Sequence, residues 1–216
     1  MNGIHGTKLP GSNVELTVGG SPVATAGMMD QALVFDGKRD FVDLGDQGST
    51  CMGNLSACST KGLSLSMWIK WTDFTDNSYI LSTGPYGVKL YYKDGKLTAE
   101  ARRDSDFWQT AMSMSWDLVT GEWYFVELSW TAGDGLSLYV DLELVGRAPV
   151  GRSKVAELEF DSFYIARPGR DARNGKFAAV SLDDLELWYA DRQTLINLGF
   201  IIRGRHHRIL IFSRLA

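Results

Sequence analysis

The chain has 216 residues, of which 44% are hydrophobic, 12% aromatic and 22% charged, a composition typical of a globular domain with enough apolar material for a core. The formal net charge of -4 argues against a general nucleic-acid binder, because affinity for phosphate needs clustered Lys and Arg side chains. No run of 18 apolar residues is present, so the sequence predicts no membrane span.

The N-terminal segment is rich in Gly, Ser, Thr and Pro, and we interpret 1–25 as a linker or an edge segment. It contains no basic stretch followed by an apolar one, so no secretory signal peptide is visible in this sequence. If the protein is secreted, its signal lies elsewhere. We therefore expect the chain to be part of a larger multidomain protein.

Cys51 and Cys58 flank the N-glycosylation acceptor Asn54-Leu55-Ser56 in one short segment. A disulfide bond between the two cysteines would stabilise the fold by about 2–3 kcal/mol. Two free thiols are the alternative, although a polar loop is an unusual place for them. A cross-linked and glycosylated loop predicts an exposed segment in an extracellular or secreted protein.

Short apolar segments separated by turn residues fill the chain from Ala32 onward. In LSLSMWIKW (63–71) the residues Leu63, Leu65, Met67, Ile69 and Trp71 share one face, and Ser64, Ser66, Trp68 and Lys70 share the other. This period of about two residues predicts a strand with one strongly buried face.

Two hairpins are predicted farther along the chain, because Asp-Gly pairs tolerate the positive φ of a tight turn. Their turns lie at Lys93-Asp94-Gly95-Lys96 and at Gly133-Asp134-Gly135. Helical spacing occurs only in the short segment DRQTLINLGF. About ten to fourteen short strands predict an all-β fold, an antiparallel sandwich of two sheets over 26–200.

Residues 201–216 form a basic tail that does not continue the alternation and contains Arg203, Arg205, Arg208 and Arg214. An unstructured tail is the simpler interpretation, and contact with a polyanion or a membrane surface is the alternative.

The strand-rich part of the sequence lacks the residues that a catalytic nucleophile or a zinc site needs. The histidines, His5, His206 and His207, lie near the two ends of the chain. A Ser/His/Asp site needs a histidine in the folded body, and two cysteines alone make no zinc site. The sequence also contains no phosphate-binding loop.

The order of motifs resembles the laminin G-like and pentraxin-like branch of the concanavalin A-like lectin/glucanase superfamily. The segments that carry the resemblance are ALVFDGKRDFVDLG, GLSLSMWIKW, GEWYFVELSWTAGDGLSLYVD and FYIARPG followed by SLDDLELWYADRQTL. The resemblance implies a jelly-roll sandwich. In two places the sequence departs from the pattern: Leu142 follows Asp141 where Gly is usual, so we expect that turn to be built differently, and Ala166 replaces the Gly of an Ile-Gly-Arg strand.

The resemblance to pentraxins implies a calcium site at Asp76 and Asn77, with a second ligand cluster in which only Asp171 and Asn174 offer oxygens, so that half of the site at most is present. Loops at the rim of a sandwich can supply the six to eight oxygen ligands that calcium takes. Arg167, Arg170 and Arg173 lie near Asp171 in the sequence and would repel a cation. The alternative is a turn in which Asp76 and Asn77 hydrogen-bond their own backbone.

Some members of the superfamily are glucanases with alternating carboxylates along one strand. Glu157, Glu159 and Asp161 alternate here, which would place their side chains on one face of a strand. Their order differs from the family's Glu-x-Asp-x-Glu, and a solvated face, with Leu158 and Phe160 turned into the core, is the simpler interpretation. These residues define a glycoside hydrolase alternative.

The acidic strand SLDDLELWYA has mixed faces if it alternates regularly: Asp183, Leu185, Leu187 and Tyr189 on one, and Leu182, Asp184, Glu186 and Trp188 on the other. We expect one of its carboxylates to be covered and hydrogen-bonded.

Trp68 is the first candidate for ligand binding, because it opposes the apolar face of its strand and sugars stack on exposed indole rings. Burial in a large sandwich is the alternative for each of the seven tryptophans. The leading hypothesis is a non-enzymatic recognition or adhesion module that binds a glycan or an extracellular protein through rim loops. A glycoside hydrolase and a structural spacer are the alternatives.

Overall fold

The computed structural model describes residues 17–29, 31–83, 87–102, 109–112, 117–149, 162–169 and 174–199. These residues form fifteen strands and one α-helix. The elements are β1 Thr17–Gly19, β2 Val23–Ala26, β3 Gln31–Val34, β4 Phe41–Asp46, β5 Leu63–Trp71, β6 Ser78–Ser82, β7 Gly87–Lys93, β8 Lys96–Arg102, β9 Gln109–Met112, β10 Trp123–Thr131, β11 Gly135–Val140, β12 Glu143–Ala148, β13 Ser162–Ile165, β14 Lys176–Phe177, β15 Val180–Trp188 and α1 Arg192–Asn197.

The strands form two sheets, which confirms the predicted all-β sandwich. Sheet I has eight strands in the order β1-β4-β13-β6-β7-β8-β9, with β14 paired in parallel to β6. Sheet II has seven antiparallel strands in the order β12-β11-β10-β5-β15-β3-β2. The helix predicted in DRQTLINLGF is confirmed as α1. In the described part of the chain, no helix combines the length and apolar character needed to cross a membrane.

The core lies between the sheets and is built by the alternation predicted for β5. Leu63, Leu65, Met67, Ile69 and Trp71 are all buried at 2% exposure or less. The neighbouring strands of sheet II supply further core residues, and sheet I supplies the opposite wall of the core. That wall includes Ile80, Val88, Leu90, Leu97, Ala99, Phe163 and Ile165. The sequence therefore predicts which side of β5 faces the core.

The turns predicted from Asp-Gly pairs join the strands expected. Lys93 pairs with Lys96 across a two-residue turn, in which Asp94 and Gly95 have φ values of 50° and 76°. This geometry twists in the sense that joins two strands of a hairpin. The second turn connects β10 to β11, where Thr131 pairs with Gly135.

The N-terminal segment contributes an edge strand to each sheet. β1 pairs with β4 in sheet I, and β2 pairs with β3 in sheet II. The buried carboxylate of Asp40 fixes the connection: its Oδ1 accepts the Ser21 N–H at 2.8 Å and its Oδ2 accepts the Asp36 N–H at 3.1 Å. The division of the domain at residue 26 stays a prediction.

The Phe-Asp-Gly segment before β4 is a tight structural turn. Asp36 Oδ1 accepts the N–H groups of Lys38 and Arg39 at 2.8 and 2.9 Å. The hydrogen bonds from Arg39 and Lys38 lower the pKa of the Asp36 carboxyl. Gly37 has a φ of 70°, and a Cβ there would come within 2.8 Å of the Ala179 Cβ. Glycine therefore suits this position for two reasons: it adopts the positive φ, and it has no Cβ to collide with Ala179.

Candidate functional site

Trp68 lies on the outer face of sheet II, opposite the core. Its neighbours Met67 and Ile69 are fully buried, whereas Trp68 is half-buried. In the register of the sheet, Phe125 of β10 lies on one side of Trp68 and Asp183 of β15 on the other. The Trp68 and Phe125 rings contact each other with centroids 5.4 Å apart and planes inclined by 58°. The two rings thus form a continuous aromatic surface.

A second aromatic pair extends this surface towards the end of the strands. Lys70 lies opposite Trp123 in the register, and its Nζ lies 4.9 Å from the centroid of the Trp123 ring. Such a contact orients the ammonium group over the indole and leaves its remaining donors available. Trp123, Phe125, Trp68 and Lys70 are all half-buried. We call these four residues the aromatic platform.

The turn between β11 and β12 borders the platform. Phe125 donates its N–H to Asp141 Oδ1 at 2.9 Å and accepts from the Asp141 N–H at 2.8 Å. The expectation of a differently built turn is wrong: Val140 pairs with Glu143 across two residues, and Asp141 and Leu142 have φ values of 48° and 72°. A side chain is strained in this region, where glycine is favoured. Leu142 therefore lies exposed beside the platform at a conformational cost.

A buried ion pair lies deeper in the same face. Glu127 of β10 pairs with Arg192 at the start of α1, and the Arg192 N–H donates to Ser129 Oγ at 2.9 Å. This contact holds α1 over Ser64 and Ser129, which explains why the outward-facing Ser64 is buried. Burial raises the pKa of Glu127 to about 7, although Arg192 acts in the opposite direction.

Sequence reasoning missed Glu127 and Arg192 as a pair. The available signal was the single acidic residue in the apolar strand WYFVELSW. Glu127 alternates with core residues, so it faces away from the core. Its partner is 65 residues away in the chain, and no local pattern identifies it.

The predicted faces of β15 are wrong because a β-bulge interrupts the alternation. Asp183 pairs with Trp68 and Glu186 with Ser66, so that two residues of β15 oppose Met67 alone. Asp184 has a φ of 52° at this point. Asp183, Glu186 and Trp188 therefore share the outer face.

The covered carboxylate expected in β15 is Asp183, whose Oδ2 accepts the Met29 N–H at 2.8 Å. Burial and the nearby Asp184 carboxylate raise the pKa of Glu186, which lies on the same face. Glu186 and Lys70 place opposite charges around Trp68.

Asp76 and Asn77, the predicted calcium ligands, lie in the loop between β5 and β6. Asp76 Oδ1 accepts the Asp94 N–H at 2.7 Å, and Asp76 Oδ2 accepts from Asn77 Nδ2 at 3.0 Å. The first bond joins the loop to the β7–β8 turn, and neither is a bond to the loop's own backbone of the kind that the turn alternative predicts. Within the described ranges, no group of three or more His, Cys, Asp or Glu side chains could hold a metal ion.

Asp171 lies outside the described residues, as do Glu157, Glu159 and Asp161. The complete calcium site and the carboxylate strand of the hydrolase alternative stay predictions.

Cys51 and Cys58 form a disulfide bond, with their Cα atoms 4.4 Å apart. The expectation of a wholly exposed loop is wrong, because Cys51, Met52 and Leu55 are buried and belong to the core. Asn54 is half-buried, and its Oδ1 accepts the Ser56 N–H at 3.0 Å as the N-cap of a short 3-10 helix, Leu55–Ala57. The loop therefore covers one edge of the sandwich, and glycosylation of Asn54 stays a prediction.

Comparison with known proteins agrees with this architecture. A family model described as the concanavalin A-like lectin/glucanases superfamily matches residues 36–193. No curated protein sequence matches the chain significantly.

Solved structures with a similar fold include binding domains of botulinum neurotoxins. The serotype C1 binding domain has a TM-score of 0.61 at 14% identity, covering 88% of this chain and 47% of that one. The binding domain of neurotoxin DC in complex with rat synaptotagmin II has a TM-score of 0.62 at 15% identity, with coverages of 88% and 47%. A third structure is described by the dependence of type C neurotoxin cell entry on two ganglioside molecules, with a TM-score of 0.61, 14% identity and coverages of 88% and 46%. The chain spans about half the length of these structures, and the likeness shows the fold alone.

Proposed function

This chain belongs to the concanavalin A-like lectin/glucanases superfamily, and from that premise we propose that it is a non-catalytic recognition module that binds a glycan on the outer face of sheet II. Function on a widely used fold depends on the residues of a particular surface, so the argument rests on the aromatic platform. The observation that carries the proposal is the contact between Trp68 and Phe125, two half-buried rings in the middle of a sheet face.

The platform combines the two kinds of contact that sugars need. The faces of Trp68 and Phe125 suit the C–H groups of a pyranose ring, and polar groups around them suit its hydroxyls. Lys70 supplies donors. Glu186 supplies acceptors, since it pairs with Ser66, which lies two residues before Trp68 on β5. The exposed Leu142 turn contributes the nearest rim loop, and two hydrogen bonds between Asp141 and the Phe125 backbone hold it there.

An extracellular location is part of the proposal. The Cys51–Cys58 disulfide supports it, because such bonds persist in oxidising compartments. Among the similar structures, one is described by an interaction with gangliosides and one is bound to a protein, which is why a protein ligand is the second arm of the test.

Glycan-array screening of the whole chain, followed by calorimetry, tests the proposal. We expect Trp68→Ala to weaken binding of the selected glycan by tenfold or more, and Trp68→Phe to retain part of it. Tyr189→Ala removes an exposed aromatic side chain outside the platform and serves as the matched control. Unchanged binding by Trp68→Ala, or binding of a protein ligand and of no glycan, would overturn the proposal.

The other predictions are tested in the same assay. Repeating the titration in CaCl₂ and in EDTA, with Asp76→Asn beside the wild type, tests the predicted calcium ligands. Incubating the bound glycan with the protein and analysing its length tests the hydrolase alternative. Release of shorter products that Glu159→Gln abolishes would favour the enzyme.

A further inference from the structure

An arginine on the outer face of sheet I lies against two aromatic rings. The Cζ atom of Arg167 lies 4.7 Å from the centroid of Phe41 and 4.5 Å from that of Tyr164. Phe41 and Tyr164 come from the neighbouring strands β4 and β13, and their rings meet edge to face at 6.4 Å. Arg167 directly follows Ala166, whose φ of 60° turns the chain at the end of β13. The two rings and the turn at Ala166 therefore position the guanidinium.

The position of the Phe41 ring is itself built into the sheet. Gly19 of β1 pairs with Phe41, and a Cβ at Gly19 would lie 1.9 Å from the Cε1 atom of that ring. The absence of a side chain at Gly19 lets the ring lie across β1. Phe41 alternates with the buried Val42 and Leu44, which face the core, so its ring belongs to the outer surface.

Arg167 forms no ion pair among the described residues. No described carboxylate lies within ion-pair distance of its guanidinium, and Arg167 is only half-buried. Asp43 is opposite Tyr164 in the register and lies on the same face of β4 as Phe41, and its Oδ1 accepts the Gly45 N–H at 2.8 Å. A guanidinium that lies against an aromatic ring still has N–H donors in its own plane, and a carboxylate can accept two parallel hydrogen bonds from them.

More aromatic side chains continue the surface beside Arg167. The ring of Phe177 lies 6.2 Å from Phe41, and Phe177 is paired with Tyr79 across β14 and β6. Tyr79 stacks on Tyr91 with centroids 4.8 Å apart, and the Tyr91 hydroxyl donates to Glu100 at 2.8 Å. The surface thus offers the half-buried rings of Phe41, Phe177 and Tyr79 next to a cation that forms no ion pair within the described part of the chain.

We propose that Phe41, Tyr164, Arg167 and Phe177 form a second ligand site, specific for a sugar that carries a carboxylate. The carboxylate accepts from the Arg167 guanidinium, and the C–H face of the sugar ring packs on Phe177. This site shares no residue with the aromatic platform and lies on the other sheet. It therefore goes beyond the proposed function, and either site can be absent without the other.

Calorimetry with trigalacturonic acid and with its methyl ester tests the proposal on the whole chain. The ester keeps the sugar rings and removes the charge, so we expect the acid to bind at least tenfold more tightly than the ester. Arg167→Gln should abolish this difference, and Arg167→Lys should retain a smaller part because an ammonium cannot form the bidentate contact.

Two controls separate this site from general charge and from the platform. Arg39→Gln removes an exposed arginine just before β4 and should leave the preference for the acid unchanged. Trp68→Ala should leave it unchanged as well. Equal affinity for acid and ester, or a preference that persists in Arg167→Gln, would overturn the proposal. If circular dichroism shows that Arg167→Gln does not fold, two other comparisons test the proposal. The wild type should bind the acid more tightly than the ester, and Phe177→Ala should bind both ligands more weakly than the wild type.

Discussion

Arg192 lies between Glu127, with which it forms an ion pair, and Tyr139, whose ring centroid is 4.4 Å from its Cζ atom. Only 3% of the Glu127 side chain is exposed, and its second oxygen, Oε1, accepts no hydrogen bond. This arrangement attaches α1 to the outer face of sheet II through a charge that is poorly solvated. The stability of the contact should therefore depend on pH.

Replacing Glu127 by Gln should remove a pH dependence of unfolding. The folded-state pKa of about 7 lies above the model-compound value of 4.5, so between these values the folded protein keeps a proton that the unfolded chain releases. The stabilisation is complete below pH 4.5 and is lost as the pH rises through about 7. The unfolding free energy of the wild type, minus that of Glu127→Gln, should fall over this window by at most about 3 kcal/mol.

Urea denaturation from about pH 4 to pH 8 measures this difference. Glu122→Gln changes an exposed glutamate near the start of the same strand and controls for the loss of a surface charge. The titration of Glu186 is common to all three proteins and cancels. Parallel curves for the wild type and Glu127→Gln would show that Glu127 does not titrate in this range.

Leu142→Gly should stabilise the protein. The left-handed conformation at a φ of 72° costs a leucine about 1–2 kcal/mol, which glycine avoids. The greater freedom of glycine in the unfolded chain offsets part of this, leaving a gain of about 0.5–1 kcal/mol. Leu144→Gly, in the following strand without a positive φ, should instead destabilise and is the matched control. Thermal unfolding that ranks Leu142→Gly below the wild type would contradict the argument.

Reduction of the Cys51–Cys58 bond should lower the free energy of unfolding by about 2–3 kcal/mol. The unfolded chain gains conformational freedom when the loop between the two cysteines is no longer closed. Denaturation with and without a phosphine reductant measures the loss. The double variant Cys51→Ala/Cys58→Ala should be insensitive to the reductant. It should also be less stable than the reduced wild type, since Cys51 packs in the core. An unchanged wild type would mean that the bond does not constrain the unfolded chain.

Asp40→Ala should release the N-terminal strands without unfolding the sandwich. The change leaves the N–H groups of Ser21 and Asp36 without their acceptor, at a cost of about 1–3 kcal/mol. Hydrogen exchange should accelerate across 17–26 more than in β5 or β10. Asp46→Ala removes an exposed carboxylate that accepts only from the nearby Gly48 N–H and should leave this exchange unchanged. Uniform acceleration would indicate global destabilisation instead.

Local patterns predicted the parts of the fold that local physics determines. The alternation of 63–71 identified the buried face of β5, and Asp94-Gly95 identified a hairpin, because both depend on neighbours in the chain. The bulge in β15 defeated the same reasoning, since one inserted residue reverses the faces that follow. The burial of Cys51 was also missed, because a loop with polar composition can still contribute apolar side chains to a core.

The candidate sites were predictable to a smaller extent. Trp68 followed from the face of its own strand, and its contact with Phe125 required the pairing of β5 with β10. From the sequence, Arg167 is predicted only to repel a calcium ion. Its position between Phe41 and Tyr164 depends on two strands more than a hundred residues apart in the chain, which no sequence window contains.

The edge strands at the start of the chain bear on how the protein should be produced in the laboratory. A gene fragment trimmed to the matched residues 36–193 would lack β1, β2 and β3. The backbone groups of β4 in sheet I and of β15 in sheet II would then be open to pairing with other molecules, which favours aggregation. Poor solubility of that fragment would reflect the choice of its two ends rather than a weak fold, because it also stops inside α1. A boundary before residue 17 keeps both edges covered.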